Sequence, residues 1–379
     1  MELIFGIIVG LVILALLVTV HEFGHAVVAR RNGVVVEEFG VGLPPLAWKK
    51  KLKNGVLLSL NWLPLGGFVK LQGEHDAADK KGDYGAATVF QKTKILLAGV
   101  AVNWLLAIVL LTVLALTGLP KVLPNQVSIP SDTVLIHKPV EIATIIKNHS
   151  AAKAGLKVGD TIVQFDGKEV PTVDSLVNIS KLNKGKNIEV IYNRDGAEHS
   201  VRVTLGKDVA SGIFGADLGQ RDLIKATWSA PLIGVATTAQ FTWVTFQGMG
   251  ELIGNLTNGL VSQLSPDANV RAQASSKLKT VGDGVAGPVG ILGTIFPAAE
   301  RAGLTQLVFL TAIISLSLAV MNVLPIPALD GGRWFTMVAF RLSKKDLTKE
   351  REEKIQAFGF LVLMGLVILV TFTDVTKLF

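Results

Sequence analysis

The sequence predicts a polytopic α-helical membrane protein of about four spans, with a small α/β domain inserted between the second and third. Three observations predict it. Half of the 379 residues are hydrophobic. Four stretches are apolar over the roughly 20 residues that a helix needs to cross a bilayer. Between them, residues 125–206 lose that character. The mean hydropathy is positive but diluted, as expected where soluble and spanning segments share one chain.

The first span runs from Leu3 to Val20 and passes directly into His21-Glu22-Phe23-Gly24-His25. Nothing basic precedes it and no small-residue cleavage site follows, so a retained helix is expected rather than a secretory signal. The second runs from Ile95 to Leu119 and stops at Pro120. The third runs from Leu304 to Leu324 and stops at Pro325, and the fourth covers Phe358 to Phe372. The stretch from Trp228 to Leu264 is apolar but interrupted by polar residues and by Gly248, Gly250 and Gly254. Amphipathic helices lying at the membrane surface are expected there.

Lysine and arginine exceed aspartate and glutamate by 37 to 30, for a net charge of +7. In a membrane protein that excess points to the inner leaflet. No run of aromatics interleaved with basic residues suggests a nucleic-acid surface, and no nucleic-acid partner is expected. Lys49, Lys50, Lys51 and Lys53 lie between spans one and two, and Arg333, Arg341, Lys344 and Lys345 between spans three and four. The positive-inside rule makes both segments cytoplasmic and puts the termini and the long 120–302 segment outside. The chain has no cysteine, so it forms no disulfide, and any transition metal must be held by His, Asp or Glu.

His21-Glu22-Phe23-Gly24-His25 is an H-E-x-x-H motif at the end of a span. Positions i and i+4 share one helix face, so both imidazoles can reach one metal and Glu22 can reach a water beside it. Ionisable groups at membrane depth are functional by default. Two histidines leave a catalytic zinc short of a third protein ligand. His75 lies in the cytoplasmic loop, and His137, His149 and His199 in or near the outer domain. Asp330 fits instead. It follows span three after Pro325 and Pro327, and the orientation puts it on the same side as His21 and His25. Pro325 and Pro327 break the helix, and Gly331-Gly332 permits a tight turn.

Within residues 125–206, Val140–Ile146 alternates like a strand. Ser150–Asp160 reads as a short helix closed by a glycine turn, and Thr161–Val170 as a strand with an Asp-Gly turn. A helix follows from Ser175, then strands at 188–192 and 201–205 joined through Asp195-Gly196. With the A-x-x-A-G-L-x-x-G-D run from Ala151 to Asp160, this pattern resembles a PDZ domain. Such domains bind extended peptides at a sheet edge.

The H-E-F-G-H motif at His21 and the N-x-x-P-x-P-x-L-D-G-G run from Asn322 to Gly332 together resemble the site-2 proteases. The single PDZ domain is similar to the bacterial regulator of sigma-E protease group. Pro64–Glu74 resembles that family's membrane-associated β-hairpin. Ala98-Gly99 with Asn103 resembles its A-G-P-x-x-N-F element, and Gly287–Ile291 its G-P-V-G-I element. Val100, Trp104 and Ser317 depart from the usual Pro, Phe and Asn, and none is a metal ligand. The resemblance implies zinc at His21, His25 and Asp330, with Glu22 as general base. It also implies that Asn322 contacts substrate, and that a strand including Gly66, Gly67, Phe68 and Val69 pairs with it.

The fold so implied is a four-span helical membrane protein with an inserted PDZ domain and a membrane-associated β-hairpin. Residues 1–124 form the first membrane domain, 125–206 the PDZ domain, 207–303 an extracytoplasmic interfacial region, and 304–379 the second membrane domain. The implied substrates are single-span membrane proteins already trimmed by another protease, such as anti-sigma factors, or remnant signal peptides. The PDZ domain would meet a peptide or substrate ectodomain. The setting would be a multi-pass position in the lipid bilayer of the bacterial inner membrane, with the active site near the cytoplasmic side and the PDZ domain outside. Two rivals remain: a metal transporter, which needs polar residues lining several spans, and an inactive peptide-binding scaffold, which does not need Glu22.

Overall fold

The computed structural model describes residues 2–207, 213–284 and 286–378. Two compact units divide the chain. One joins Met1–Val113 to Pro231–Phe379, and the other is Leu114–Ala230.

The first unit opens with helix α1 (Glu2–Arg31), which carries its aliphatic run through both histidines without a break. It ends at Gly33, whose φ of +81° lets the chain turn back so that Val34 N–H donates to Ala29 O. Strands β1 (Val36–Lys51) and β2 (Leu57–Leu71) form a hairpin that folds back on itself, so that residues 38–41 pair with 67–70 on one side and with 57–60 on the other. At its base Val36, Val56 and Leu71 pack with Ala26, Ala29, Ile95 and Tyr84. Farther out, Leu43, Leu46, Trp48, Leu60 and Trp62 are exposed, an apolar surface larger than a solvated hairpin ordinarily shows. Helix α2 (Val89–Leu96) starts at a Thr88–Gln91 capping box. Helix α3 (Ala98–Thr117) follows after one residue, so the span expected from Ile95 begins instead at Ala98.

The second unit holds two sheets. A small one has the order β3 (Leu119–Pro120), β11 (Asp222–Lys225), β4 (Val134–His137). The larger is built from β5 (Val140–Ile145), β6 (Thr161–Phe165), β7 (Lys168–Glu169), β8 (Asn187–Arg194), β9 (Ala197–Thr204) and β10 (Ala216–Gly219). Its order is β10-β5-β6-β8-β9, with β7 paired to β6. The two-residue turns Asp166-Gly167 and Asp195-Gly196 have positive φ at both positions, the geometry that matches hairpin twist. Helices α4 (Ser150–Lys153) and α5 (Val173–Leu182) complete the unit. Phe165, Ile142, Ile162, Val190 and Leu176 form its core. The unit extends beyond 125–206 at both ends, since β3, β10 and β11 all belong to it.

The chain then re-enters the first unit through α6 (Ala230–Gln263), α7 (Ala268–Gly284), α8 (Pro288–Gly290), a π-helical turn (Ile291–Ile295) and α9 (Phe296–Arg301). Helices α10 (Leu304–Val323), α11 (Asp330–Leu342) and α12 (Lys349–Leu378) finish it. Among the described residues four helices are long and apolar enough to cross a membrane: Leu3–Arg31, Ala98–Thr117, Leu304–Val323 and Lys349–Thr376. The several interfacial helices expected over 228–264 are one continuous helix. Its first half packs on two spans, with Trp104 Nε1–H donating to Thr242 Oγ1 at 3.0 Å and Phe241 edge-on to Phe309.

One buried ion pair holds the larger sheet to its glycine turn. The Asp160 carboxylate is 1% exposed and meets Arg194 at two contacts of 2.7 Å, while Lys157 N–H donates to it at 2.7 Å. Burial raises the Asp160 carboxyl, but the hydrogen bonds from Arg194 and Lys157 outweigh it and hold the group below its ordinary value. The stabilisation is therefore complete above the unfolded value of about 3.9 and is lost as pH falls through the folded one. Asp160→Ala leaves Arg194 without its partner and should cost about 3 kcal/mol. Amide exchange should show β6 and β8 losing protection while α1 keeps it, and unchanged protection in β6 would refute this role.

Candidate metal centre

His21 and His25 lie one helical turn apart on α1, each 6% exposed. Their rings stand edge to face with centroids 4.8 Å apart. The Nε2 atoms approach to 3.2 Å. Asp330 Oδ2 lies 3.0 Å from His21 Nε2 and 3.2 Å from His25 Nε2. Among the described residues this is the one cluster of three such side chains with ligand atoms within 4.8 Å of one another. The convergence expected from sequence is thus present, across 309 positions of chain.

Close backbone approach makes it possible. A Cβ on Gly24 would meet Ala98 O at 2.8 Å, so α1 and α3 cross without a side chain between them. A Cβ on Gly99 would sit 2.5 Å from His25 Nε2 and 2.6 Å from His21 Nε2. The space in front of the imidazoles exists because residue 99 has no side chain. On the other side, Leu329 is the extended N-cap of α11 and Asp330 its first residue, where the helix dipole favours a carboxylate. Cβ atoms at Gly331 and Gly332 would strike the carbonyls of Val323 and Ile326, so the turn between α10 and α11 can fold tightly only with the glycine pair. Ala328 holds φ at +77° there, and its N–H donates to Gln356 Oε1 of α12 at 2.6 Å.

The donor set fits a zinc-type ion. His25 Nδ1 lies 2.7 Å from Ile95 O, a carbonyl that can only accept. The ring proton therefore sits on Nδ1, and the Nε2 lone pair faces His21 and Asp330. Two imidazole nitrogens and one carboxylate oxygen, with a fourth position free, are the ligands of a catalytic zinc site.

The other expected site residues divide. Glu22 points at the hairpin: Val69 N–H donates to its Oε2 at 3.1 Å, and Gly67 lies beside its Cγ. Gly66, with φ +102°, packs near Val18 of α1. Phe68 turns the other way and covers Gly40 of β1. Asn322 donates to Leu318 O of its own helix at 3.0 Å. Sequence reading noted Gly99 and Asn103 as motif positions and gave them no task. Asn103 is fully buried with its Nδ2 at 3.4 Å from His21 Nδ1. The signal for it was present, as a lone amide in an otherwise aliphatic part of a span.

Gly99→Ala tests the close packing. The added methyl must displace an imidazole, so metal affinity should fall at least about tenfold, the size of effect that moving a ligand's support produces. Helix content by circular dichroism should stay at the wild-type level. Wild-type metal affinity in Gly99→Ala would show that the ring positions do not depend on this approach.

Known proteins are similar to this chain along nearly its whole length. A protein of Clostridium perfringens, whose name provisionally describes a zinc metalloprotease, is 31% identical over 97% of this chain and 98% of its own length. Zinc metalloprotease RasP of Geobacillus kaustophilus is 26% identical over 99% of this chain and 98% of its own. The RasP of Bacillus licheniformis is 25% identical over 98% and 99%. The profile of peptidase family M50 matches residues 9–366, a range that includes both histidines, the glutamate between them and Asp330, and this chain belongs to that family.

Proposed function

We propose that this protein is a zinc-dependent endopeptidase that cuts single-span membrane proteins within the bilayer. His21, His25 and Asp330 hold the ion and Glu22 is the general base. The observation that carries the reading is the meeting of two imidazoles and a carboxylate within 3.2 Å of one another, next to a glutamate one residue from His21. The relatives named as zinc metalloproteases support the choice of ion.

Zinc supplies a Lewis acid for the scissile carbonyl and acidifies water at the site. Glu22 takes a proton on its carboxylate and returns it to the leaving amine nitrogen. The Val69 N–H fixes the carboxylate orientation. A substrate helix has its carbonyls engaged internally and must unwind to be cut. Gly66, Gly67 and Val69 offer main-chain groups of β2 beside the base, and a substrate strand there would replace the lost helical hydrogen bonds. Phe68 supports the strand from its far side, and Asn322, which donates one Nδ2–H to Leu318 O, has a second N–H and an oxygen with which to contact substrate.

The larger sheet and two short helices of the 114–230 unit, with the Ala151–Asp160 run, support reading it as a PDZ domain. In this reading it faces outward from a bacterial inner membrane and screens substrates for prior trimming, so that the enzyme acts in regulated intramembrane proteolysis. The exposed tip of the β1–β2 hairpin rests in the cytoplasmic leaflet.

Glu22→Gln should keep about one zinc per chain and lose cleavage of a co-expressed single-span substrate by at least about 100-fold. A His21→Ala, His25→Ala double variant should lose both zinc and cleavage. Equal zinc in the double variant and wild type would remove the site. Orientation is tested with single cysteines, for which the chain has no background thiol. Lys50→Cys and Lys344→Cys should label from the cytoplasm and Lys168→Cys from outside. Labelling of position 168 from the cytoplasm would reverse the assignment.

A further inference from the structure

We propose that Asn103 is a positioning residue for the metal centre: its side-chain oxygen accepts the His21 Nδ1–H and thereby leaves His21 Nε2 free for the ion. The proposal rests on the zinc reading of His21, His25 and Asp330.

His21 can coordinate through Nε2 only if its ring proton sits on Nδ1. For His25 the Ile95 carbonyl enforces this arrangement. Among the described residues no backbone carbonyl takes that position for His21. Its Nδ1 faces the Asn103 amide at 3.4 Å. With Nδ2 toward the ring, as placed, the amide would donate to Nδ1 and force the proton onto Nε2, the atom 3.0 Å from Asp330 and 3.2 Å from His25. That tautomer has no lone pair for a metal. The same orientation leaves Asn103 Oδ1 buried without a partner. The two ends of an amide are nearly the same shape, and the hydrogen-bond network decides between them. Turned over, the oxygen accepts from Nδ1–H. Asn103 is 0% exposed, so no water competes for the contact. Its backbone is anchored as well, since buried Ser315 of α10 donates to Asn103 O at 2.9 Å.

Outer hydrogen bonds of this kind change metal affinity by about 10- to 100-fold. Asn103→Leu, which removes the acceptor at similar volume, should weaken zinc binding by that factor in chelator competition on the full-length detergent-solubilised protein. Asn103→Asp keeps the acceptor and should stay within a few-fold of wild type. A packing role would not separate these two. The decisive readout is a double-mutant cycle. Asn103→Leu should weaken zinc binding no further in a His21→Ala background, and should keep its full effect in a His25→Ala background. An equal loss in all three backgrounds, or no loss in wild type, overturns the proposal. If Asn103→Leu does not fold, Asn103→Ala takes its place in the same cycle. Failure of the metal reading itself is seen separately, as unchanged zinc affinity in His21→Ala.

Discussion

Everything around the centre follows from the cost of placing two imidazoles and a carboxylate together at the ends of apolar helices. A carboxylate in a low-dielectric setting must have an opposite charge or strong donors beside it. Asp330 has both histidine Nε2 atoms within 3.2 Å, and with the ring protons on Nδ1 these atoms face it with lone pairs. A divalent ion would supply the missing charge and turn a costly cluster into a stable one. The backbone is shaped to allow this meeting. Gly24 and Gly99 let α3 lie against the histidine face of α1, and Gly331 and Gly332 let α11 start within one tight turn of α10. Small residues at helix crossings are the usual means of close approach where lipid removes the hydrophobic drive.

The fold was legible wherever local pattern encodes it. The four spans came from apolar runs, although the first and fourth helices extend beyond those runs, and the hairpin turns at Asp166-Gly167 and Asp195-Gly196 came from their residue types. The H-E-x-x-H spacing put both imidazoles on one helix face, and the Pro-rich end of the third span pointed to Asp330, which the structure brings to His21 and His25. What could not be read depends on contacts distant in sequence. Nothing near Val69 shows that its N–H meets Glu22, and nothing near Gln356 shows that it holds Ala328.

The 228–264 segment was misread for a different reason. Three glycines each disfavour a helix by about 1 kcal/mol, so an interruption was expected. The helix runs through all of them. Gly234 is a contact point, since a Cβ there would collide with Thr112 of α3. Gly248, Gly250 and Gly254, by contrast, face open space.

Glu22 and Asp330 share one ionic anchor. Arg333, one turn after Asp330, donates to Glu74 Oε1 at 2.7 Å and to Glu74 O at 3.1 Å. It also lies 3.6 Å from Glu352 of α12. Glu352 in turn accepts Asp76 N–H at 2.9 Å, and Asp76 pairs with Arg341 of α11 and with the fully buried Lys92 of α2. Glu74 and Asp76 follow directly on β2, the strand whose Val69 orients Glu22. Buried charges leave few alternative arrangements, because each displaced group would stand unpaired. The loop after β2 therefore ties the hairpin and α11 to the same ionic cluster, and with them the Glu22 and Asp330 carboxylates.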